Sequence, residues 1–68
     1  MKIMRLTAYK RRANGGDPIE FSTTIYSGCN GGFYFEFEVD CSLWRYGEAS
    51  DFEECRAEME EVFYRYIG

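Results

Sequence analysis

Hydrophobic and polar side chains alternate along much of the N-terminal part of the chain. The alternation is strictest from Phe33 to Cys41, where phenylalanine or valine occupies the odd positions up to 39 and tyrosine or a carboxylate occupies the even positions. A two-residue period places neighbouring side chains on opposite faces of a β-strand. We therefore expect a strand with phenyl rings in the core and carboxylates in solvent, in a fixed register, because a one-residue slip would bury the charges.

Two earlier segments, Met1–Arg12 and Ile19–Ser27, alternate in a similar way. Short stretches rich in glycine separate the three segments: Ala13–Pro18 lies before the second strand, and Gly28–Gly32, which contains Cys29, lies before the third. Glycine and asparagine tolerate the left-handed backbone of tight turns. The three segments are therefore expected to form an antiparallel meander.

The pattern changes after Cys41. Residues 42–49 are expected to form an irregular connector, because Gly47 interrupts any regular period. Ser50 and Glu53 have the spacing of a capping box, which predicts a helix with Ser50 as its N-cap. The apolar residues that follow recur at three- and four-residue intervals, as on one stripe of a helix: Phe52, Cys55, Met59, Val62, Phe63, Tyr66 and Ile67.

These elements predict one compact α+β domain over residues 1–68. The expected architecture is a three-stranded antiparallel β-meander with one C-terminal α-helix packed on one face, in the order βββα. The second face of the sheet is expected to face water, as antiparallel sheets allow. A chain of this length buries only about 60% of its unfolded surface, and the six phenylalanines, six tyrosines and one tryptophan enlarge its small core.

Acidic and basic residues are separated along the sequence. The first twelve residues hold five basic side chains and no acidic one, whereas the remaining residues hold twelve acids and three arginines. Such a gradient, in a domain too small to contain a cleft, favours long-range selection of a charged partner over chemistry. The charge pattern therefore predicts a binding protein.

The composition offers little for catalysis or for metal binding. The chain has no histidine, so the usual general base near neutral pH is missing and no histidine-containing triad can form within one chain. Cys29, Cys41 and Cys55 are odd in number and widely spaced, which favours reduced thiols, with Cys41 and Cys55 as small buried groups. We expect no catalytic residue, no metal and no cofactor. No apolar run reaches the ~18 residues of a membrane span, so a cytoplasmic protein is expected.

The first candidate binding surface is acidic. Carboxylates at fixed spacing can imitate a phosphate backbone and enter the cationic groove of a nucleic-acid-binding protein, with aromatic side chains at the centre of the interface. A simple solvated helix face is the alternative interpretation. The residues assigned to this surface are Glu36, Glu38, Asp40, Asp51, Glu54, Glu58 and Glu61, with Tyr34 and Trp44.

The second candidate is the basic first strand. Aromatic side chains on a sheet face can stack on bases while arginines neutralise phosphates. In the alternative, Arg5 and Arg11 pair with Glu20 or with the acids of the third strand. The net charge of −4 makes direct nucleic-acid binding the weaker hypothesis. The residues assigned to this surface are Arg5, Tyr9, Lys10, Arg11 and Arg12.

In its general properties the chain resembles the small acidic proteins that bacteriophages and mobile elements direct against host defences, notably anti-CRISPR proteins. The shared properties are one compact domain, an acidic body, a sheet with a helix, no catalytic residues and reduced cysteines, and no motif is involved. The resemblance implies stoichiometric inhibition by covering a site on a large host complex. The βββα order also resembles AP2-type and integrase N-terminal DNA-binding domains, whose reading face is basic, whereas the third strand here is acidic.

The sequence therefore predicts a non-enzymatic inhibitor that binds a host protein or ribonucleoprotein complex with a basic groove. One alternative is a small nucleic-acid-binding module that uses the first strand. Another is an antitoxin-like partner of a second protein. An unpaired edge of the sheet would also allow a homodimer to form.

Overall fold

Four β-strands and one α-helix follow one another in the computed structural model, which describes residues 1–28 and 30–68. Each strand pairs antiparallel with its neighbour in sequence, and the helix packs on one face of the sheet. The predicted α+β class, with a C-terminal helix on an antiparallel sheet, is confirmed. The elements are β1 (Lys2–Lys10), β2 (Ile19–Ser27), β3 (Phe33–Val39), β4 (Ser42–Ala49) and α1 (Phe52–Ile67).

The prediction of three strands is wrong, because the expected connector is the fourth strand of the sheet. β3 ends at Val39, and Asp40 and Cys41 form a two-residue turn with φ of 49° and 69°. Positive φ at both central residues is typical of the type I′ turn, whose twist suits a hairpin. The register slips by one residue between Phe37 and Glu38 of β3, so that Trp44 is the extra residue of a bulge in β4.

The helix begins one residue later than predicted. Its N-cap is Asp51, which has extended backbone angles and whose carboxylate accepts a hydrogen bond from the Glu54 amide at 3.2 Å. The expected cap, Ser50, precedes it and is exposed. At the other end the Gly68 amide donates to the Tyr64 carbonyl at 2.9 Å. Both ends of α1 therefore have partners for backbone groups that the helix itself leaves unpaired.

The core lies between α1 and the face of the sheet that carries the phenylalanines. One cluster joins Ile25 and Phe35 to Cys55 and Met59 of α1, and a second joins Phe21 and Phe37 to Phe63. These are the apolar positions that the two periodic patterns predicted for strands and helix. Of the two cysteines expected to be buried, Cys55 is buried, but Cys41 is exposed because it lies in the β3–β4 turn. Cys29, predicted to lie in a turn, falls outside the described residues.

No helix within residues 1–28 and 30–68 combines the length and the apolar character that crossing a bilayer requires.

Candidate binding surfaces

The predicted acidic surface is divided between two sides of the molecule. Phe35 and Phe37 pack beneath α1, and their neighbours Glu36 and Glu38 therefore point to the opposite face of the sheet. The acids of α1 lie on the other side of the molecule, on the surface of the helix that faces away from the sheet. The sheet group comprises Tyr34, Glu36, Glu38 and Asp40, and the helix group comprises Asp51, Glu54, Glu58 and Glu61. A single flat partner can contact one group but not both.

The face of the sheet away from α1 carries rows of side chains that follow the strand register. In one row Arg5 of β1 lies beside Thr24, Glu36 and Tyr46, so that a cation and a carboxylate lie on either side of a small residue. We call this surface the open sheet face. Its members are Lys2, Arg5, Thr7, Tyr9, Glu20, Ser22, Thr24, Tyr26, Tyr34, Glu36, Glu38, Leu43, Tyr46 and Glu48.

Three tyrosines cross the open sheet face as a ladder. The ring centroids of Tyr26 and Tyr34 are 5.0 Å apart, and those of Tyr34 and Tyr46 are 5.8 Å apart. The Tyr46 hydroxyl donates to Glu48 at 2.8 Å, and this hydrogen bond is the main reason that the pKa of Tyr46 is raised. Each ring is therefore held by a neighbour and offers a rigid aromatic surface.

A furrow of small residues separates the two halves of the open sheet face. Ser22 and Thr24 of β2 are only 4% and 5% exposed to solvent, because longer side chains on the flanking strands cover them. Cations line the β1 side, and carboxylates line the β3 side, where Glu38 accepts a long hydrogen bond of 3.5 Å from Ser22. The open sheet face is thus split into a basic half and an acidic half.

Asp40 and Arg12, which belong to different candidate surfaces, bind each other. Their side chains form a salt bridge of 2.7 Å. The second carboxylate oxygen of Asp40 accepts from the Glu20 amide at 3.0 Å, while the Asp40 amide donates to the Glu20 carbonyl at 2.8 Å. The hydrogen bond from the Glu20 amide, followed by that from Arg12, lowers the pKa of Asp40. Asp40 therefore ties the β3–β4 turn to β2 and, through Arg12, to the segment that follows β1.

The helix carries the whole net charge of the protein. Residues 51–67 contain six acidic side chains and two arginines, whereas the other six acids are balanced by six basic residues. Asp51 caps the helix and Glu61 pairs with Arg65 at 2.8 Å. Across residues 1–28 and 30–68, no basic group lies within 4.0 Å of the carboxylates of Glu54 and Glu58. The outer side of α1 is thus the most acidic part of the molecule.

The residues of the basic candidate surface lie in two places. Arg5 and Tyr9 lie on the open sheet face, where the Tyr9 hydroxyl makes a long hydrogen bond of 3.4 Å to Glu20 and the side chain is 67% exposed. The segment from Lys10 to Arg12 instead borders an open groove of about 580 Å³ whose floor includes Ile19 and Phe21. The structure therefore does not bring these residues together on one face.

The alternative interpretation, in which Arg5 and Arg11 pair with acids, is not seen within the described part of the chain. Neither guanidinium lies within 4.0 Å of a carboxylate there. The same holds for Lys2, at the start of β1. These cations remain available to anions from outside.

Sequence reasoning missed the outer edge of the sheet, because it did not predict β4. Trp44, assigned to the acidic surface, lies on this edge with its ring edge-on to Tyr66 at 6.0 Å. The side chains of Leu43, Trp44 and Tyr46 are 58%, 57% and 53% exposed. The three large apolar or aromatic residues among positions 43–46, Leu43, Trp44 and Tyr46, were the available signal, but they do not follow a period of two.

Within the two described ranges, no set of three or more cysteine, aspartate or glutamate side chains is arranged to hold a metal ion. Comparisons of the chain with protein-family models, with curated proteins and with solved structures found no match.

Proposed function

We propose that this protein is a non-enzymatic binding protein that applies the outer side of α1 to a basic groove of a nucleic-acid-handling host complex, in the manner of an anti-CRISPR-like inhibitor. The observation that carries the proposal is the location of the net charge of −4 on the helix segment. The attraction between this helix and a cationic groove steers encounter and selects against acidic partners.

The helix holds three carboxylates in a row at fixed spacings that are wider than those of DNA phosphates. Glu54, Glu58 and Glu61 follow one another along one flank of α1, with rises of about 6 Å and 4.5 Å between them. One strand of B-DNA carries a phosphate every ~3.4 Å along its axis. Cys55 and Met59, on the same turns of the helix, are fully buried and pack against the sheet. The charges are therefore presented on a rigid element, as imitation of a phosphate backbone requires.

An exposed aromatic side chain lies next to these carboxylates. Tyr64 is 56% exposed, and its ring packs edge-on against Phe63 with centroids 5.5 Å apart. Residues three apart are neighbours on a helix surface, so Tyr64 adjoins Glu61. Tyrosine is enriched among the residues that dominate binding energy. Tyr64 therefore supplies the aromatic anchor that the sequence-based hypothesis assigned to Tyr34 and Trp44.

Affinity capture from host lysate tests this proposal. The tagged protein is incubated with lysate that is untreated or nuclease-treated, and the retained proteins are identified by mass spectrometry. The proposal expects one protein complex, retained in fixed stoichiometry with or without nuclease. Recovery of nucleic acid, with all proteins lost after nuclease treatment, would overturn it.

The open sheet face supports a second function, binding of single-stranded nucleic acid. Lys2 and Arg5 have no ion-pair partner within the described residues, and they lie beside the Tyr26–Tyr34–Tyr46 ladder. The acids of α1 lie beyond the sheet and the helix, so their repulsion is partly screened at this face. Tyrosine rings can stack on bases while the cations contact phosphates.

Fluorescence anisotropy with a labelled single-stranded oligonucleotide tests the second function. Wild type should bind with an affinity that falls as salt rises, and Arg5→Glu should abolish binding. Arg11→Glu, outside the rows of the open sheet face, is the matched control and should retain most of the affinity. Equal losses in the two variants would show only nonspecific attraction to basic residues.

A further inference from the structure

The two outer strands of the sheet differ in how they are protected from other strands. The β1 edge carries Lys2, Arg5 and Lys10, and like charges of this kind discourage a second strand from pairing there. The β4 edge carries one basic and one acidic residue, Arg45 and Glu48, and has no net charge. Only the β1 edge is therefore guarded by charge.

The β4 edge also exposes apolar surface. Leu43, Trp44 and Tyr46 lie within four consecutive positions and are each more than half exposed. An eight-residue outer strand leaves a row of backbone donors and acceptors that a further strand can pair with. Water-exposed aromatic side chains beside such a row favour association over solvation.

We propose that β4 pairs antiparallel with β4 of a second copy of this chain, which forms a twofold-symmetric dimer with one continuous sheet. A twofold interface is closed, because the same edge is used by both copies and none remains for a third. The helices of both copies lie on the same side of the joined sheet, and the open sheet faces join on the other. This inference is independent of the function proposed for α1.

Charge complementarity indicates a second copy as the occupant of the β4 edge. Arg45 lies opposite Phe37, so it is on the side of the sheet that faces α1. No carboxylate of the described residues lies within 4.0 Å of its guanidinium. Asp51, the N-cap of α1, and Glu53, in its first turn, come two and four residues after the end of β4, at the start of the helix that packs on this side of the sheet.

Antiparallel pairing brings the start of one β4 beside the end of the other. In the register that places Gly47 opposite Gly47 of the second copy, Arg45 lies across from Ala49 of that copy, next to its Asp51 and Glu53. The twofold axis repeats this contact, so each dimer gains two groups of opposite charges at close range. The same register keeps the two Glu48 side chains from facing each other directly.

Sedimentation equilibrium over a range of protein concentrations tests the dimer. Wild type should show a monomer–dimer equilibrium with no larger species. Tyr46→Glu sets a glutamate directly across from Glu48 of the second copy, twice in each dimer, and should raise the dissociation constant by about tenfold or more. Tyr9→Glu, at an exposed tyrosine on the other outer strand, is the matched control and should leave the constant unchanged.

A second variant tests the charge contact. Arg45→Glu should also raise the dissociation constant by about tenfold, because it sets glutamate against the acids of the second copy. Thermal unfolding confirms that each variant is folded. Three results would overturn the proposal: a wild type that stays monomeric throughout, a Tyr9→Glu variant weakened as much as Tyr46→Glu, or growth beyond the dimer, which indicates head-to-tail pairing of β1 with β4.

Discussion

The ring of Phe35 lies directly over the backbone of Gly47, its partner in the β3–β4 pair. A Cβ atom at residue 47 would overlap the atoms of the phenyl ring. Phe35 itself is 3% exposed and belongs to the core cluster with Cys55 and Met59. The glycine therefore does not break the strand. It allows a core side chain to cover the strand and fixes the register between β3 and β4.

Substitution of Gly47 by alanine should destabilise the protein. The new methyl group must displace a buried ring, and overpacking of this kind costs about 1–3 kcal/mol. Urea unfolding followed by tryptophan fluorescence measures the change. Ser42→Ala, an exposed position in the same strand, is the matched control and should change stability by about 0.5 kcal/mol or less. A Gly47→Ala variant as stable as this control would contradict the close contact.

Substitution of Cys41 by glycine should stabilise the β3–β4 turn. Cys41 has φ of 69°, and a side chain in this left-handed region costs about 1–2 kcal/mol. Glycine avoids this cost, but part of the gain is offset because glycine has more conformational freedom in the unfolded chain. We expect a gain of about 1 kcal/mol in urea unfolding under reducing conditions. Cys41→Ala removes the thiol but keeps the Cβ atom, so it should match wild type. If alanine stabilises as much as glycine, the backbone argument fails.

The salt bridge between Arg12 and Asp40 should be visible in the titration of the carboxyl group. The amide of Glu20 and then Arg12 lower the pKa of Asp40 in the folded protein, below the ordinary value of about 3.9. A lowered pKa contributes stability that is fully present above the unfolded value and is lost as pH falls through the folded one. Wild type should therefore lose this contribution only below about pH 4.

Carboxyl chemical shifts measured by NMR across acidic pH provide the test. Arg12→Ala should raise the pKa of Asp40 only part of the way, because the hydrogen bond from the Glu20 amide remains. Arg11→Ala is the matched control and should leave this pKa unchanged. An Asp40 that titrates at about 3.9 or above in wild type would show that neither contact persists in solution.

The parts of the fold that depend on a clear period could be predicted from the sequence. The alternation around Phe35 and Phe37 specified β3 and its buried face, and the spacing of Cys55, Met59 and Phe63 specified the buried side of α1. These patterns reflect burial, which recurs along the whole length of a strand or helix. One residue that departs from the pattern therefore does not obscure the element.

β4 could not be predicted in the same way, because its residues respond to contacts distant in sequence. The bulge at Trp44 removes the two-residue period, and the need for Gly47 is apparent only once Phe35 is placed above it. Ser50 and Asp51 are both good caps, so the sequence alone does not fix which one is used. The division of the acids between two sides follows from the packing of α1 on the phenylalanine face.

The central claim, that the outer side of α1 is the binding surface, is tested most directly by comparing two matched pairs of charge reversals. Glu54→Lys with Glu58→Lys reverses the helix surface, and Glu36→Lys with Glu38→Lys makes the same charge change on the open sheet face. Each doubly substituted protein is first shown to be folded by thermal unfolding. Its affinity for the captured host complex is then measured by titration.

We predict that the helix pair loses about a hundredfold or more in affinity, because several close charge contacts become repulsive, while the sheet pair binds like wild type. The opposite order, with binding lost in the sheet pair and kept in the helix pair, would contradict the account and assign the interaction to the open sheet face.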